Sequence, residues 1–444
     1  MASTLGIAGI ITAIIAVNIL TYKGLNVVLA SFVAAAIVIF TNQLGYAESM
    51  EAGLTSTGII MGNMAGIFVF GGILATLYSA SSATVSLGRL ILKPFAHNQN
   101  GTIRRIGTMG MLILVRVIIG LAGLDNLAIM PLMVALVLSI FSGANFPRKY
   151  INCMLVFAST VGTLIPGAPH QFPILFQSVV TEFDNSANLL PRWLLLLIYI
   201  VIGTIMLNVM IRKDEEKGMG FDPGPLVIPD FDTEEKTPHW LISVIPLFLV
   251  YITYNFLNAS AWLSLVYGCV AAAILFFPYF KKEDSAKTRF GAVIGNFNKG
   301  IFVVPLVIVA GMVFSMVLSE TPSFDYLCDL MAKLPIPATF GLMLIAILLT
   351  GASSGHAAMV IVGSIALSSF ILNGMSVQTA GVIALWSTSV LDTLPNNIGI
   401  VMQSEMTACT MKECYPSIFK TTVIATFSMC MLVCVFGSLG FFPD

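Results

Sequence analysis

Charge is scarce in this chain. Only 10% of its 444 residues are Asp, Glu, Lys or Arg, and only four are His. A soluble domain carries about 25% charged residues. The formal net charge is −1 with no basic stripe anywhere, which excludes a nucleic-acid binder. Metal-type spacings are missing too. Seven Cys (153, 269, 328, 409, 414, 430, 434) fall mostly in or beside apolar stretches and pair with no His at zinc-like intervals. Free thiols, no metal centre and no cofactor are therefore expected. Cys430 and Cys434, one helical turn apart, read as two small apolar residues in a helix. No Lys or Arg precedes the first apolar run and no cleavage site follows it, so the N-terminus reads as a retained helix rather than a signal peptide.

What fills the chain is apolar sequence: 57% hydrophobic residues, with a mean hydropathy of +0.94. That composition predicts an all-α polytopic protein of the lipid bilayer. Stretches long enough to cross run at 5–22, 25–41, 58–78, 191–211, 239–257, 261–279, 300–319 and 418–441. Two regions depart from this pattern, 101–180 and 338–404, and they share a layout. An apolar arm (106–122; 338–350) leads to a short polar tip, Gly123-Leu124-Asp125-Asn126 or Gly351-Ala352-Ser353-Ser354-Gly355-His356. A second arm follows (127–142; 357–372), then an apolar segment interrupted by Pro. The interruptions read Thr163-Leu164-Ile165-Pro166-Gly167-Ala168-Pro169-His170 and Asp392-Thr393-Leu394-Pro395-Asn396-Asn397.

The tip glycine and the Thr-Leu pair recur at a nearly constant offset, which indicates an internal duplication. The first half is 1–212, with helices at 5–41, a two-armed element at 106–142 and a broken helix at 150–180. A hydrophilic linker occupies 213–238. The second half is 239–444, with helices at 239–279, a two-armed element at 338–372 and a broken helix at 378–404. Paired interrupted segments in two halves are the best sequence pointer to a transporter's binding site. If each two-armed element is a re-entrant hairpin, each half crosses five times and the halves are inverted repeats. This places 18 of the 21 Lys and Arg on one face, with Arg192 and Lys333 on the other. By the positive-inside rule the linker is cytoplasmic and both termini lie outside the cytoplasm. Parity does not separate hairpins from paired full crossings, and arm 106–122, about 25 Å as a helix, is long enough to cross. The segment 79–95, amphipathic with Arg89 and Lys93, reads as an interfacial helix.

Five ionisable side chains fall inside the assigned membrane region: Arg116, Asp125, His170, His356 and Asp392. Four of the five sit in the tips and breaks, and an ionisable group within a bilayer is functional by default. A tip opening into a helical arm exposes unpaired backbone N–H groups, and such a terminus favours a carboxylate. Asn126, Ser353 and Ser354 suit N-cap positions. After Pro166 and Pro395 the resumed half-helices offer the same donors, and Asn396 and Asn397 add side-chain amides. The expected contacts of a small organic anion are Asp125, Asn126, Thr163, His170, Ser353, Ser354, His356, Thr393, Asn396 and Asn397. Burial disfavours a charged carboxylate, so Asp392 or Asp125 is where a coupling proton would bind. Plainer roles stand beside these: Asp392 capping a neighbouring helix, Asp125 capping its own arm, His356 satisfied by a backbone carbonyl, His170 near the surface, and Arg116 neutralising Asp125.

A competing pattern exists. Gly351-Ala352-Ser353-Ser354-Gly355 fits G-x-S-x-G, with His356 adjacent, as in a serine hydrolase. That elbow requires a preceding strand, whereas an apolar helical arm precedes it here. The duplicated tip Gly123–Asn126 also lacks Ser. The chain is therefore expected not to be an enzyme.

The stretch 391–397, followed by Thr410-Met411-Lys412-Glu413-Cys414-Tyr415-Pro416-Ser417-Ile418-Phe419, resembles the C-terminal signature of the gluconate:proton symporter (gluconate permease) family. Thr321-Pro322-Ser323-Phe324, the tip 351–355, Asn145-Phe146-Pro147-Arg148-Lys149 and Pro166-Gly167-Ala168-Pro169 are similar to family features in the same order. The resemblance spans nearly the whole chain and is nearest to the 3-hydroxybutyrate permease-like branch. It implies a bacterial inner-membrane symporter of the ion transporter superfamily, a homodimer in which hairpins and broken helices move as an elevator against scaffold helices 5–41 and 239–279. Its substrates would be gluconate-like sugar acids or short hydroxy-monocarboxylates, driven by protons. Two departures stand out. Asn396 replaces the His that many members carry after Leu-Pro, and Pro166-Gly167-Ala168-Pro169-His170 replaces a His-Pro-Gly-Pro type of break, which counts against gluconate itself. A Na⁺-coupled di- or tricarboxylate carrier of the same superfamily is the alternative within transport.

Overall fold

The computed structural model describes residues 4–444 apart from 24, 26, 84, 88–94, 96–97, 125, 127–128, 227–236, 281–290, 292–312, 315 and 353–354. The expected span 300–319 lies largely outside the described residues, and the segment 79–95 lies partly outside them. No strand occurs among the residues described. Three helical stretches are long and apolar enough to cross a membrane: Thr4–Tyr22, Leu189–Glu215 and Met411–Ser438. Several apolar helices of 10–17 residues accompany them.

The first half opens with α1 (Thr4–Tyr22) packed on α2 (Val27–Thr41). Then comes α3 (Tyr46–Ala80), a single 35-residue helix of which the stretch expected to cross is only the C-terminal part. At about 52 Å it exceeds the roughly 30 Å hydrocarbon core. α4 (Gly101–Gly120) begins where Asn100 Oδ1 accepts from the backbone N–H of Thr102 and Ile103, an N-cap that fixes the start of the arm. α5 (Met130–Gly143) is the second arm, and α6 (Ile151–Thr163) and α7 (Gln171–Val179) flank the break. Pro166 and Pro169 supply no backbone donor, and Gly167 turns the chain at φ +73°, so a continuous helix cannot form across 164–170. α8 (Leu189–Glu215) closes the half. Its acidic end is held by Arg104 on Glu215 (2.9 Å), and by Lys149 and Tyr150 on Asp214 (both 2.6 Å).

The second half contains α9 (Trp240–Phe256), α10 (Ala261–Leu275), α11 (Pro322–Ala332), the arms α12 (Ala338–Ala352) and α13 (Gly355–Ile365), α14 (Val377–Leu391), α15 (Ile398–Met406), α16 (Met411–Ile418) and α17 (Ala425–Ser438). α13 runs on into a π-helical turn at Ala366–Ile371, and a second π turn, Phe419–Ile424, joins α16 to α17. Such turns insert an extra residue into the helix and are common at functional sites.

The packing has a regular pattern. α4 packs on α6 and α8, and α12 packs on α14 and α17. α1 lies on α2 and α9 on α10. Across the halves, α13 packs on α7 and α5 on α15, while α9 touches α4 and α1 touches α12. Each half thus lays its second arm against the other half's second half-helix. This exchange sets the first break against Gly123 of the first tip and against Gly355 and His356 of the second, beside Asp392.

Candidate functional site

The tip of the first two-armed element is tied down by a buried cation. Arg116 on α4 is 1% exposed, and its Nη2 donates to Asn126 Oδ1. Asn126 Nδ2 in turn donates to Thr163 Oγ1 (3.2 Å), at the last residue of α6. The guanidinium lies across Gly162, where an added Cβ would meet Nη2 at 2.0 Å. Gly123 sits at φ +66°, and its added Cβ would lie 2.3 Å from Pro169 O, so the tip is pressed onto the break. Asn126 is therefore not the N-cap expected of the second arm. α5 starts later, at Met130, with Ile129 at the cap and no side-chain bond. Asp125 lies outside the described residues.

The second cluster is built on three helix starts. His170 caps α7 with extended backbone (φ −74°, ψ 155°), its Nδ1 accepting from Phe172 N at 3.4 Å. At 1% exposure it is fully buried, which corrects the surface reading of this residue. The Pro pair turns the chain inward rather than outward. His356, the second residue of α13, bonds Gln171 Oε1 through Nε2, which requires the proton on that nitrogen. One of its partners is thus a side chain. The Phe172 ring stands between the two imidazoles, with centroids 5.6 Å from His170 and 5.2 Å from His356, both edge-on. Gly355 allows this approach, since an added Cβ would lie 2.2 Å from Phe172 Cζ.

Asp392 completes the cluster. It ends α14, and its Oδ1 accepts from Gly355 N (2.9 Å), the first amide of α13. Asn397 Nδ2 donates to Asp392 O (2.6 Å) and lies 3.4 Å from Oδ1, while Asn397 Oδ1 caps α15 through Gly399 N (2.7 Å). The starts of α7, α13 and α15 therefore face one locus, each satisfied in part by a side chain of the chain itself. The half-helix ends are not open donors, as expected from the sequence, but capped ones. Each terminus still carries roughly half a positive charge, and together they suit a carboxylate.

The remaining candidates divide. Thr393 is turned to the π turn, its hydroxyl paired with Thr422 at 2.9 Å. Asn396 is half-buried and makes no hydrogen bond among the described residues. Ser353 and Ser354 lie outside the described residues. Gln171 and Phe172 were not anticipated. Counting ionisable groups passes over an amide and a ring, though a Gln inside an apolar segment was itself a visible signal. Arg192 is structural: it donates to Asn185 O (2.6 Å) and Oδ1 (2.9 Å), and Asn185 Nδ2 holds Ala168 O of the break (2.8 Å).

Hydrogen bonds link this assembly to the flanking helices. Asn18 Nδ2 of α1 donates to Gly351 O (3.4 Å), Tyr251 OH of α9 to Pro166 O (3.5 Å), and Ser186 Oγ to Asn255 Oδ1 (2.9 Å). Among the described residues no group of His, Cys, Asp and Glu is arranged to hold a metal ion. The chain matches no family model and no curated protein.

Proposed function

We propose that the protein is a secondary transporter that imports a small hydroxylated organic acid, a short hydroxy-monocarboxylate such as 3-hydroxybutyrate or a gluconate-like acid, by proton symport. The observation that carries the reading is the carboxylate of Asp392 held where three half-helix N-termini meet inside an apolar, all-helical chain. Such a locus suits an anion, with Arg116 the buried cation nearest to it, and irregular backbone at that depth is typical of a transport site. Arg116, Asn126, His170, Gln171, His356, Asn396 and Asn397 form the wall of the site, and Asp392 or Asp125 carries the proton. Thr393 and Thr163 support the breaks from behind. The reciprocal packing of arms and half-helices favours two inverted repeats, with the breaks and two-armed elements as a mobile unit, α1–α2 and α9–α10 as scaffold, and a homodimer in a bacterial inner membrane. The resemblance to the gluconate permease family points the same way.

The test is uptake in proteoliposomes. Labelled 3-hydroxybutyrate, gluconate, lactate and citrate are offered under an imposed pH gradient, then under a Na⁺ gradient. Accumulation of a monocarboxylate that follows the pH gradient is the expected result. Uptake of citrate driven by Na⁺ and indifferent to pH would replace this reading with the Na⁺-coupled carrier.

A further inference from the structure

Helix N-termini in apolar surroundings attract carboxylates, and the termini that meet here already hold one. Asp392 Oδ1 accepts from Gly355 N at the first residue of α13 and lies 3.4 Å from the amide of Asn397. Both partners are neutral donors of the kind that would bind a substrate carboxylate. Beside them two polar atoms are sealed from solvent without a hydrogen-bond partner among the described residues: His170 Nε2 and Gln171 Nε2, on residues 1% and 0% exposed. Gln171 is bonded through its Oε1 to His356, the residue next to Gly355, so its spare amide N–H lies at the same locus. Buried polar atoms are normally paired, and a spare donor and a ring nitrogen kept dry here are placed to meet a ligand's hydroxyl or second oxygen.

We propose that Asp392 is a resident stand-in for the carboxylate of the transported acid: ionised, it fills the subsite at the α13 N-terminus, and protonated, it yields that terminus to the substrate. The inference rests on the transport reading above and supplies its coupling rule. One set of donors cannot serve two carboxylates, and two like charges on neighbouring sites oppose each other. A proton on Asp392 removes both obstacles, so proton and anion bind as a unit, with the hydroxylated end of the acid toward Gln171 and His170. The groups facing Asp392 are few. His356 comes from α13 and His170 from the cap of α7, with Arg116 within electrostatic reach of His170. α12 and α14 bring no ionisable side chain, while Glu405 on α15 and Lys420 on the π turn are exposed. The two histidines are the rivals for the proton among these groups, and Asp125 of the first tip is the other carboxylate in contention.

Binding, not transport, tests the idea. The full-length protein in lipid nanodiscs is titrated calorimetrically with 3-hydroxybutyrate, gluconate, lactate and citrate between about pH 5.5 and 8.5, in buffers of different ionisation heat to count protons. For the acid that binds, affinity is expected to fall about tenfold per pH unit above the Asp392 titration, with about one proton taken up per anion. Asp392→Asn should bind the same acid with pH-independent affinity and no proton uptake. Wild-type binding that is flat with pH and takes up no proton would overturn the inference and leave the transport reading standing. Proton uptake retained in Asp392→Asn would assign the proton to a histidine or to Asp125 and overturn it likewise. Absence of binding by every acid at every pH removes the transport reading and the inference together. Should Asp392→Asn not fold, a protonated-carboxyl band appearing on binding to the wild type, seen by infrared difference spectroscopy, decides the question, and its absence counts against the stand-in.

Discussion

At the scale of single residues, the site depends on how closely backbone and ring approach at Gly355. A Cβ there would lie 2.2 Å from Phe172 Cζ and 2.8 Å from Asp392 Oδ1, so neither neighbour could keep its place. Gly355→Ala is expected to cost about 1–3 kcal/mol of overpacking, seen as a lowered thermal midpoint. It should also cut uptake by at least about tenfold, equivalent to about 1.4 kcal/mol of lost stabilisation. Wild-type uptake in this variant would mean that the Phe172–Gly355–Asp392 contact is incidental. The acid, the breaks and the tips were all legible in the sequence, because charge and proline are conspicuous in apolar surroundings. What each side chain touches was not. Asn126 has N-cap chemistry, yet it serves Arg116 and Thr163, ten and thirty-seven residues away, and no local rule reports such partners. The plainer role of His170, near the surface, follows from Pro pairs marking exposed turns. Here the turn is packed against Gly123 and against Asn185, which Arg192 holds in place.

At the scale of elements, the join between α7 and α13 decides whether the two halves act together. Its polar contact is Gln171 with His356, reinforced by the Phe172 ring between the imidazoles. Residues that share a hydrogen bond couple energetically, whereas distant pairs add. A double-mutant cycle of Gln171→Ala and His356→Ala, read as thermal unfolding in detergent, is expected to give a coupling of about 0.5–3 kcal/mol. Additive losses would show that the two starts are neighbours without being linked. Helix boundaries were partly legible. Asn397, Asn100 and Thr321 begin helices through side-chain caps that their residue types announce. The π turns at 366–371 and 419–424 were invisible, since nothing in Ala-Leu-Ser-Ser-Phe-Ile or Phe-Lys-Thr-Thr-Val-Ile departs from ordinary helical sequence. The second turn is explained only by its neighbours: Thr422 meets Thr393, and Thr421 meets Cys153 of α6 at 3.0 Å.

At the scale of the whole molecule, the question is whether the central assembly moves against α9 and α10. Spacing along the chain suggested two related halves, but which arm lies on which half-helix is a long-range property that spacing does not encode. The structure makes one contact between the two groups easy to lock. Ser186 Oγ lies 2.9 Å from Asn255 Oδ1, and the loop of Ser186 is bound to the break through Asn185 and Ala168. α8, which follows this loop, packs mainly on α4, α6 and α17, and the loop itself is tied to the break, so we group the loop with the central assembly. The seven native thiols are all buried, which leaves an introduced pair free to react first. Ser186→Cys with Asn255→Cys replaces two side chains already in hydrogen-bond contact by thiols, to be joined by oxidation and the cross-linked fraction measured. Oxidation is expected to stop uptake in proteoliposomes at least about tenfold, and reduction with dithiothreitol to restore it, with each single variant unaffected. An elevator must break this contact once per cycle, so a fully cross-linked population that still transports at the wild-type rate would mean that the break and α9 travel together. The moving boundary would then have to be sought elsewhere, with Asn18 on α1 and Gly351 on the second tip as the next contact to bridge.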